Sequence, residues 1–318
     1  MKTAAFVIAS LIALSLAGCE NGISLKPRSG GRPYEVIVTG DNATATALTG
    51  SIIGAETEEN LPQNEPKFDI SMTDGDMTQT TRYARNIVVA VTDSGEYTAT
   101  RVRYERDAFA IPQMTIYVGA PSVARLRADS AKIGRTISRL IERFETSAAI
   151  SELKKTSNTK AGKEISRMFG KSFLIPGNMK INKRGSDFIW LSDNSATAMG
   201  NICIYTYGGT DISPACIIRK RDSIMRRNMP GETDNMYMRT ARKRTPQATT
   251  TTIGGNKTAV IKGLWEMNGD AMGGPFVAHA AADSAAGRTV VAEAFVYAPG
   301  KKKRNLIKRL EAALYTLK

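Results

Sequence analysis

Short apolar runs and polar stretches alternate along most of the chain, as expected for a chain rich in strands. In the first half, alternating or continuous apolar positions predict strands at 34–38, 68–72, 87–91, 97–104 and 114–118. Further strands are predicted in the second half at 173–175, 179–181, 188–191, 201–207, 259–267, 275–281 and 289–297. The Lys183–Ser186 segment is a turn signal that predicts a hairpin between two of them.

Helical spacing of apolar residues marks the segments between these strands. The longest helical region runs from Ser122 to about Ser157, with arginines opposite its apolar positions. Shorter helices are predicted at 42–53, 161–169, 214–228 and 301–317, with Gly170 closing one and Ser213-Pro214 opening another. The pattern predicts an α+β fold in which a mostly antiparallel sheet, or sheets, carries flanking helices.

One local pattern occurs twice. Residues 116–121 lead from a strand through Ala-Pro into a helix, and residues 295–299 do the same near the C-terminus. A duplication would divide the globular part into two similar halves, 34–170 and 171–318. A chance match of so short a segment is the alternative, and the sequence does not choose between them.

The N-terminus has the pattern of a secretory signal. Lys2 precedes an apolar run over residues 4–16 that is too short to span a bilayer with confidence. The run ends in Leu16-Ala17-Gly18-Cys19, which resembles the bacterial lipobox. The resemblance implies removal of residues 1–18 and acylation of Cys19, whereas an ordinary signal peptide with a chance cysteine is the alternative. Residues 19–33, rich in Gly, Ser, Pro and Arg, then predict a flexible acylated tether before a globular domain at 34–318.

The signal changes what the charge of the chain means. A net charge of +14 ordinarily indicates nucleic acid as the partner. A lipid-anchored envelope protein instead meets anionic lipids, acidic glycans and other envelope proteins, so we expect the membrane and one of these as partners, and no nucleic acid. Because no acidic cluster follows Cys19, we expect an outer-membrane location facing the periplasm.

Candidate chemistry is sparse. Glu266 and Asp270 lie in a Gly-rich segment, residues 264–276, that is either a ligand-contacting loop with two candidate acids or a hairpin whose glycines are structural. We favour the hairpin, with Asn268-Gly269 as a primed turn. His279 is the only histidine, which excludes a zinc site built from several histidines. The sequence predicts no cofactor and no metal.

Basic residues and cysteines leave alternatives open. Lys301, Lys302, Lys303 and Arg304 open the last helix, where they either bind an anion at the helix N-terminus or form solvated surface. A second basic cluster comprises residues 219–221 with 226–227. Cys203 and Cys216 either pair or remain buried free thiols, and we favour free thiols.

Several motifs together resemble one family: residues 62–69, 110–113, 220–223, 263–265, 269–277 and 295–299. They are similar to a Bacteroidetes lipoprotein family catalogued only as a domain of unknown function. The resemblance implies lineage, compartment and a single α+β unit, and brings no catalytic residues. We therefore expect a membrane-anchored envelope lipoprotein that acts as a non-enzymatic binding or assembly protein. The alternative is an envelope-polymer hydrolase that uses Glu266 and Asp270.

Overall fold

The computed structural model describes residues 26–53 and 57–318, so Cys19 and the predicted signal peptide lie outside the described residues. In this part of the chain, no helix is long and apolar enough to cross a membrane. The helices are α1 (Asn42–Ala47), α2 (Val123–Ala128), α3 (Ser130–Thr156), α4 (Thr159–Phe169), α5 (Pro214–Asn228) and α6 (Arg304–Leu314). A π-helical segment, Leu48–Ile53, extends α1.

Two larger sheets and a two-stranded pair contain all the strands of the described residues. The first strands are β1 (Glu35–Gly40), β2 (Thr57–Glu58), β3 (Glu65–Pro66), β4 (Asp69–Asp74), β5 (Asn86–Thr92), β6 (Arg101–Arg106) and β7 (Met114–Ala120). The later ones are β8 (Lys180–Arg184), β9 (Phe188–Ser192), β10 (Met199–Gly208), β11 (Tyr237–Thr240), β12 (Gln247–Ile253), β13 (Asn256–Asn268), β14 (Gly273–Asp283) and β15 (Arg288–Tyr297).

The small sheet has the order β4-β1-β5-β7-β6. All its pairs are parallel except β6 with β7, so a mostly parallel sheet carries one antiparallel edge. Val38, Val88 and Ile116 project from it into a core that includes Leu48, Ile137 and Ile141 of the helical layer. We call this sheet with α1, α2 and α3 the small-sheet unit.

The large sheet has eight strands in the order β11-β13-β14-β15-β10-β9-β8, with β12 also paired to β13, and all its pairs are antiparallel. One face packs against α4 and α6, and the other packs against α5. Because both faces are covered, β10 and β15 are apolar almost throughout rather than alternating. This sheet with α4, α5 and α6 is the large-sheet unit.

The predicted α+β class is confirmed, with the larger sheet antiparallel. Gly170 ends α4 in the left-handed region at a φ of 69°, as its position in the sequence indicates. The expected long helix is divided at Asp129 into α2 and α3. The prediction of a strand at 173–175 is wrong, because this segment pairs with no described strand. Its backbone instead bonds to residues next to α4 and α6: Asn158 N donates to Ile175 O, and Leu174 N donates to Thr316 Oγ1.

The two strand–Ala–Pro–helix segments lie in sheets of different topology. One leads from β7, whose β5 neighbour is parallel, into α2, and the other leads from β15, whose neighbours are antiparallel, into α6. The helix α4, which falls in the first of the expected halves, packs into the core of the large sheet. The likeness between the two segments therefore does not extend to the sheets around them.

Candidate functional site

The N-terminal end of the described chain lies against the small-sheet unit. Arg28 and Gly30 form isolated parallel bridges with Ile111 and Ala84. Lys26 Nζ donates to the Asp107 carbonyl oxygen at 2.5 Å. Residues 26–30 of the expected tether are thus attached to the small-sheet unit.

A set of exposed cations lies on the same unit, and we call it the basic face: Arg106, Lys132, Arg135, Arg139 and Arg143. The last four follow helical spacing along α3, opposite its buried Ile133, Ile137 and Ile141. None of the five forms an ion pair with any residue that the structure describes. The basic face is therefore a row of positive charges without ion pairs to the described residues, although Lys132 lies close enough to Asp129 to contribute to the lowered pKa of that carboxyl.

A groove of about 330 Å³ separates the start of α3 from β6, and Thr100, Val102, Lys132 and Ile133 line it. Asp129 closes one side, accepting from Thr100 Oγ1 at 2.7 Å and from Arg125 Nε at 2.8 Å. Hydrogen bonding to Thr100, followed by that to Arg125, holds the pKa of Asp129 below its usual value. This carboxylate is therefore ionised and already paired.

The two candidate acids have partners of their own. Glu266 Oε1 accepts from Arg239 Nε at 2.9 Å across the β11–β13 pair. Asp270 Oδ1 accepts from the backbone of Met272 at 3.1 Å inside the hairpin loop. The structure thus gives Glu266 a cross-strand ion pair and Asp270 a turn-forming hydrogen bond.

The glycines around these acids are required by close packing of backbone. A Cβ at Gly274 would lie 2.0 Å from the Val296 carbonyl oxygen, which also accepts from Trp265 Nε1 at 3.2 Å. Gly269 has a φ of 82°, whereas Asn268 is not among the positive-φ residues. The predicted primed turn at Asn268-Gly269 is therefore wrong: a longer loop joins Met267 to Met272, whose backbones are hydrogen bonded.

The basic N-terminus of α6 already binds a carboxylate, which belongs to Glu65 of the same chain. The carboxylate of Glu65, on β3, accepts from the backbone N–H of Lys303 at 2.7 Å and of Arg304 at 3.1 Å. Glu65 is 4% exposed, and Lys303 and Arg304 are 2% and 3% exposed. An acidic side chain at this end of a helix stabilises the unpaired N–H groups and the macrodipole.

The remaining charges of this segment are also largely paired. Arg304 Nη2 donates to Asp69 Oδ2 at 2.6 Å, and Lys302 Nζ lies 3.6 Å from Asp69 Oδ1. Although burial raises the pKa of Asp69, hydrogen bonding to Arg304 brings it below its usual value.

The other two lysines of the segment form hydrogen bonds with neutral acceptors. Lys303 Nζ donates to Gln63 Oε1, and Lys301 Nζ donates to Thr197 Oγ1, each at 2.9 Å. The segment 301–304 thus joins the two units, and the motif at residues 62–69 supplies the partners of Lys302, Lys303 and Arg304.

One cation of the other basic cluster lies in the core. Arg221 is 0% exposed, and its guanidinium pairs with both oxygens of Glu293 at 2.7–3.0 Å. Tyr205 Oη donates to the same carboxylate at 2.9 Å, and the guanidinium stacks 3.9 Å from the Phe276 ring centroid. Burial lowers the pKa of Arg221, but Glu293 more than offsets this, so the guanidinium stays charged. Sequence reasoning missed this pair because Arg221 is one position in a basic run and Glu293 a lone acid in an apolar strand.

His279 is also buried, with its ring 4.7 Å from that of Tyr315. Neither ring nitrogen has a hydrogen bond of good geometry. Burial lowers the pKa of His279, and the nearby backbone of Leu314 raises it by a smaller amount.

Cys203 and Cys216 are buried free thiols. Across the described ranges, no group of His, Cys, Asp and Glu is arranged to hold a metal ion.

Comparison with known families divides the chain at the boundary between the two units. A family model described as a domain of unknown function, DUF4837, matches residues 158–316, half of the chain. A second, described as a domain of unknown function, DUF8532, matches residues 29–154. No curated protein matches. The expectation of a family without an assigned function is confirmed: the chain belongs to the DUF4837 family, whose matched region is the large-sheet unit.

Proposed function

We propose that this protein is a lipid-anchored component of the bacterial cell envelope that binds a partner and catalyses no reaction. The lipobox-like Leu16-Ala17-Gly18-Cys19 supports the anchor. Acyl chains on Cys19 would hold the fold at the outer membrane on its periplasmic side, since several chains together give stable attachment.

The observation that carries the proposal is the position of the chain entry. Lys26, seven positions after Cys19, contacts the small-sheet unit through the Asp107 carbonyl, and Arg28 and Gly30 form bridges to the same unit. An anchor at Cys19 would therefore keep this end of the small-sheet unit close to the membrane.

The candidate acids support binding rather than hydrolysis. A general acid and a general base each need a free carboxyl directed at one bond of the substrate. Glu266 is instead held by Arg239, and Asp270 is held by the Met272 backbone. The glycines beside them are explained by the contact with Val296.

The anchor is tested by growing cells with an alkyne-tagged fatty acid and comparing the full chain with Cys19→Ala. We expect the tag on the parent protein and its loss in Cys19→Ala, with Cys216→Ala as the matched control that keeps the tag because its thiol is buried. A tag retained by Cys19→Ala would contradict the proposed anchor.

The binding role is tested by crosslinking in cells followed by quantitative mass spectrometry of the same two proteins. A defined envelope protein or envelope lipid recovered only with the lipidated form is the expected result. Cleavage of an envelope polymer by the parent protein that is lost in Glu266→Gln, with the melting temperature unchanged, would contradict a non-enzymatic role.

A further inference from the structure

We propose that the basic face binds the anionic headgroups of the membrane that holds the anchor. This inference rests on the proposed lipid attachment, because only a fold held beside a bilayer meets its surface charge continuously. The partner is a lipid surface, and the face that meets it comprises Arg106, Lys132, Arg135, Arg139 and Arg143.

The length of chain between Cys19 and Lys26 limits how far the fold can lie from the anchor. Seven positions separate Lys26 from Cys19, and each residue extends a chain by at most about 3.6 Å, so the interval spans at most about 25 Å. Lys26 is held on the carbonyl of Asp107, the residue directly after Arg106. The backbone of Lys26, whose side chain contacts the end of β6, therefore lies within about 25 Å of Cys19.

Arg143 lies at the same end of the unit as Arg106, and the other cations of α3 extend from there along the helix. Arg106 pairs with Met114 on β7, and Met114 pairs with Asn86 on β5. Asn86 Nδ2 in turn donates to Glu145 on α3 at 2.7 Å. The turn of α3 that carries Arg143 is thus level with Arg106, and the row continues from there to Lys132.

The side of α3 that carries Lys132 faces the edge strand β6. Val102 and Lys132 line the same groove, so this side of α3 is turned towards β6. Because side chains alternate along a strand, Tyr104 and Arg106 project on the face that Val102 shares with the helix. Tyr104 is 53% exposed. An exposed tyrosine among cations is typical of surfaces that sit at the level of lipid headgroups.

The acidic groups nearby do not neutralise the row. Asp129 is paired with Arg125 and Thr100. Glu142 faces the other unit, within 3.5 Å of Lys67 and 3.1 Å of Lys308. Glu145 is buried and paired with Arg85. On the same elements, Glu105 lies 3.6 Å from Arg103, and Glu152 is exposed nine positions beyond Arg143. None of these carboxylates forms an ion pair with a cation of the basic face, so the cations are available to bind phosphate.

The spacing of the cations suits a surface better than a single small ligand. Lys132 and Arg143 are eleven positions apart on α3, or about 16 Å along its axis. Cations so spread cannot converge on one phosphate, but they match a plane of headgroups, where each Lys or Arg near the surface contributes about 1 kcal/mol.

The test uses the mature chain, residues 19–318, with Cys19→Ser, so that vesicle binding reports the protein surface without acyl chains. Co-sedimentation is measured with phosphatidylcholine vesicles and with vesicles containing roughly 30% phosphatidylglycerol. We expect binding to the anionic vesicles only. Reversing three cations of the face, Lys132→Glu, Arg139→Glu and Arg143→Glu, should lower the affinity at least tenfold.

The matched control carries the same change in net charge elsewhere: Lys154→Glu, Lys155→Glu and Lys160→Glu. Lys155 is exposed near the C-terminal end of α3, about 18 Å along the axis from Arg143, the nearest reversed cation. This control should retain the parent affinity. Equal loss in both variants would overturn the proposal, because binding would then follow net charge alone. Failure of the parent to bind anionic vesicles would overturn it as well, as would displacement by inorganic phosphate at constant ionic strength.

Failure of this inference and failure of the proposed function are distinguishable. The fatty-acid tag on Cys19 reports the anchor, whereas the vesicle measurement is made without it. A tagged protein whose face does not bind vesicles retains the proposed function and loses the inference. An untagged protein that binds them through the face loses the anchor.

Discussion

Two sets of cations in this molecule look alike in composition and differ in what surrounds them. The run Lys301–Arg304 is consecutive in sequence, yet the structure buries Lys303 and Arg304 and pairs them with Glu65 and Asp69. The basic face is dispersed in sequence, yet its side chains are exposed together and unpaired. Half of the most conspicuous charge run is therefore internal structure, whereas the less conspicuous set is exposed throughout.

The difference follows from local geometry. Consecutive residues at a helix start point in different directions, so one of them can meet solvent while its neighbours enter an interface. Residues three or four apart share one helix face, so a row such as Lys132, Arg135 and Arg139 turns outward together. Helical spacing, rather than density of charge along the chain, is what marks the exposed set here.

The largest loss of stability is expected at the fully buried ion pair of Arg221 and Glu293. Glu293→Gln leaves the buried guanidinium of Arg221 without its counter-ion, and breaking a buried pair in this way costs about 3–5 kcal/mol. Urea unfolding measures the change in the free energy of unfolding, with the exposed Glu232→Gln as control. A loss no larger than that of the control would show that the pair contributes little.

A somewhat smaller loss is expected for Glu65→Ala. The substitution leaves the N–H groups of Lys303 and Arg304 without an acceptor at a buried helix start, which costs about 2–3 kcal/mol. The same unfolding measurement applies, with the exposed Asp76→Ala as control. Unchanged stability would mean that the cations, rather than the carboxylate, hold the two units together at this point.

His279 shows what burial does to a group with no counter-charge in contact. Burial lowers its pKa to about 4, with Glu311 opposing and Lys262 adding to the shift. As the pH falls, His279 becomes protonated at a higher pH in the unfolded chain than in the folded protein. Its contribution to the free energy of unfolding is therefore fully present above about pH 6.5 and is lost as the pH drops towards 4. The loss between pH 7 and pH 5 is about 2 kcal/mol. Unfolding curves of the parent and of His279→Leu should converge as the pH falls, and parallel pH profiles would contradict this assignment.

The smallest effect on stability is expected on the basic face. Arg139→Glu changes an exposed side chain that has no ion pair among the described residues, so the free energy of unfolding should shift by less than about 0.5 kcal/mol. Arg304→Glu, which faces Asp69, serves as the contrasting variant and should cost several times more. Similar losses in both would remove the distinction between the two sets.

Local patterns were enough to predict much of the secondary structure but not its pairing. Ser213-Pro214 and Gly170 mark helix ends because capping depends on adjacent residues. The parallel order of the small sheet and the bond between Glu65 and Arg304, 239 positions apart, depend on contacts that no local pattern carries. Residues 173–175 are apolar enough for a strand, but they bury their side chains beside α4 without joining a sheet.

The docked N-terminal segment also sets the range of movement that an anchored molecule would have. Arg28 and Gly30 are held by single bridges, whereas β1 is paired on both sides within the sheet. A pull on the anchor would release these bridges first and free about seven more residues, adding about 25 Å of reach. In single-molecule stretching we expect a first extension of that size, from detachment of this segment, before the sheets unfold. Unfolding of the whole protein as the first event would contradict this.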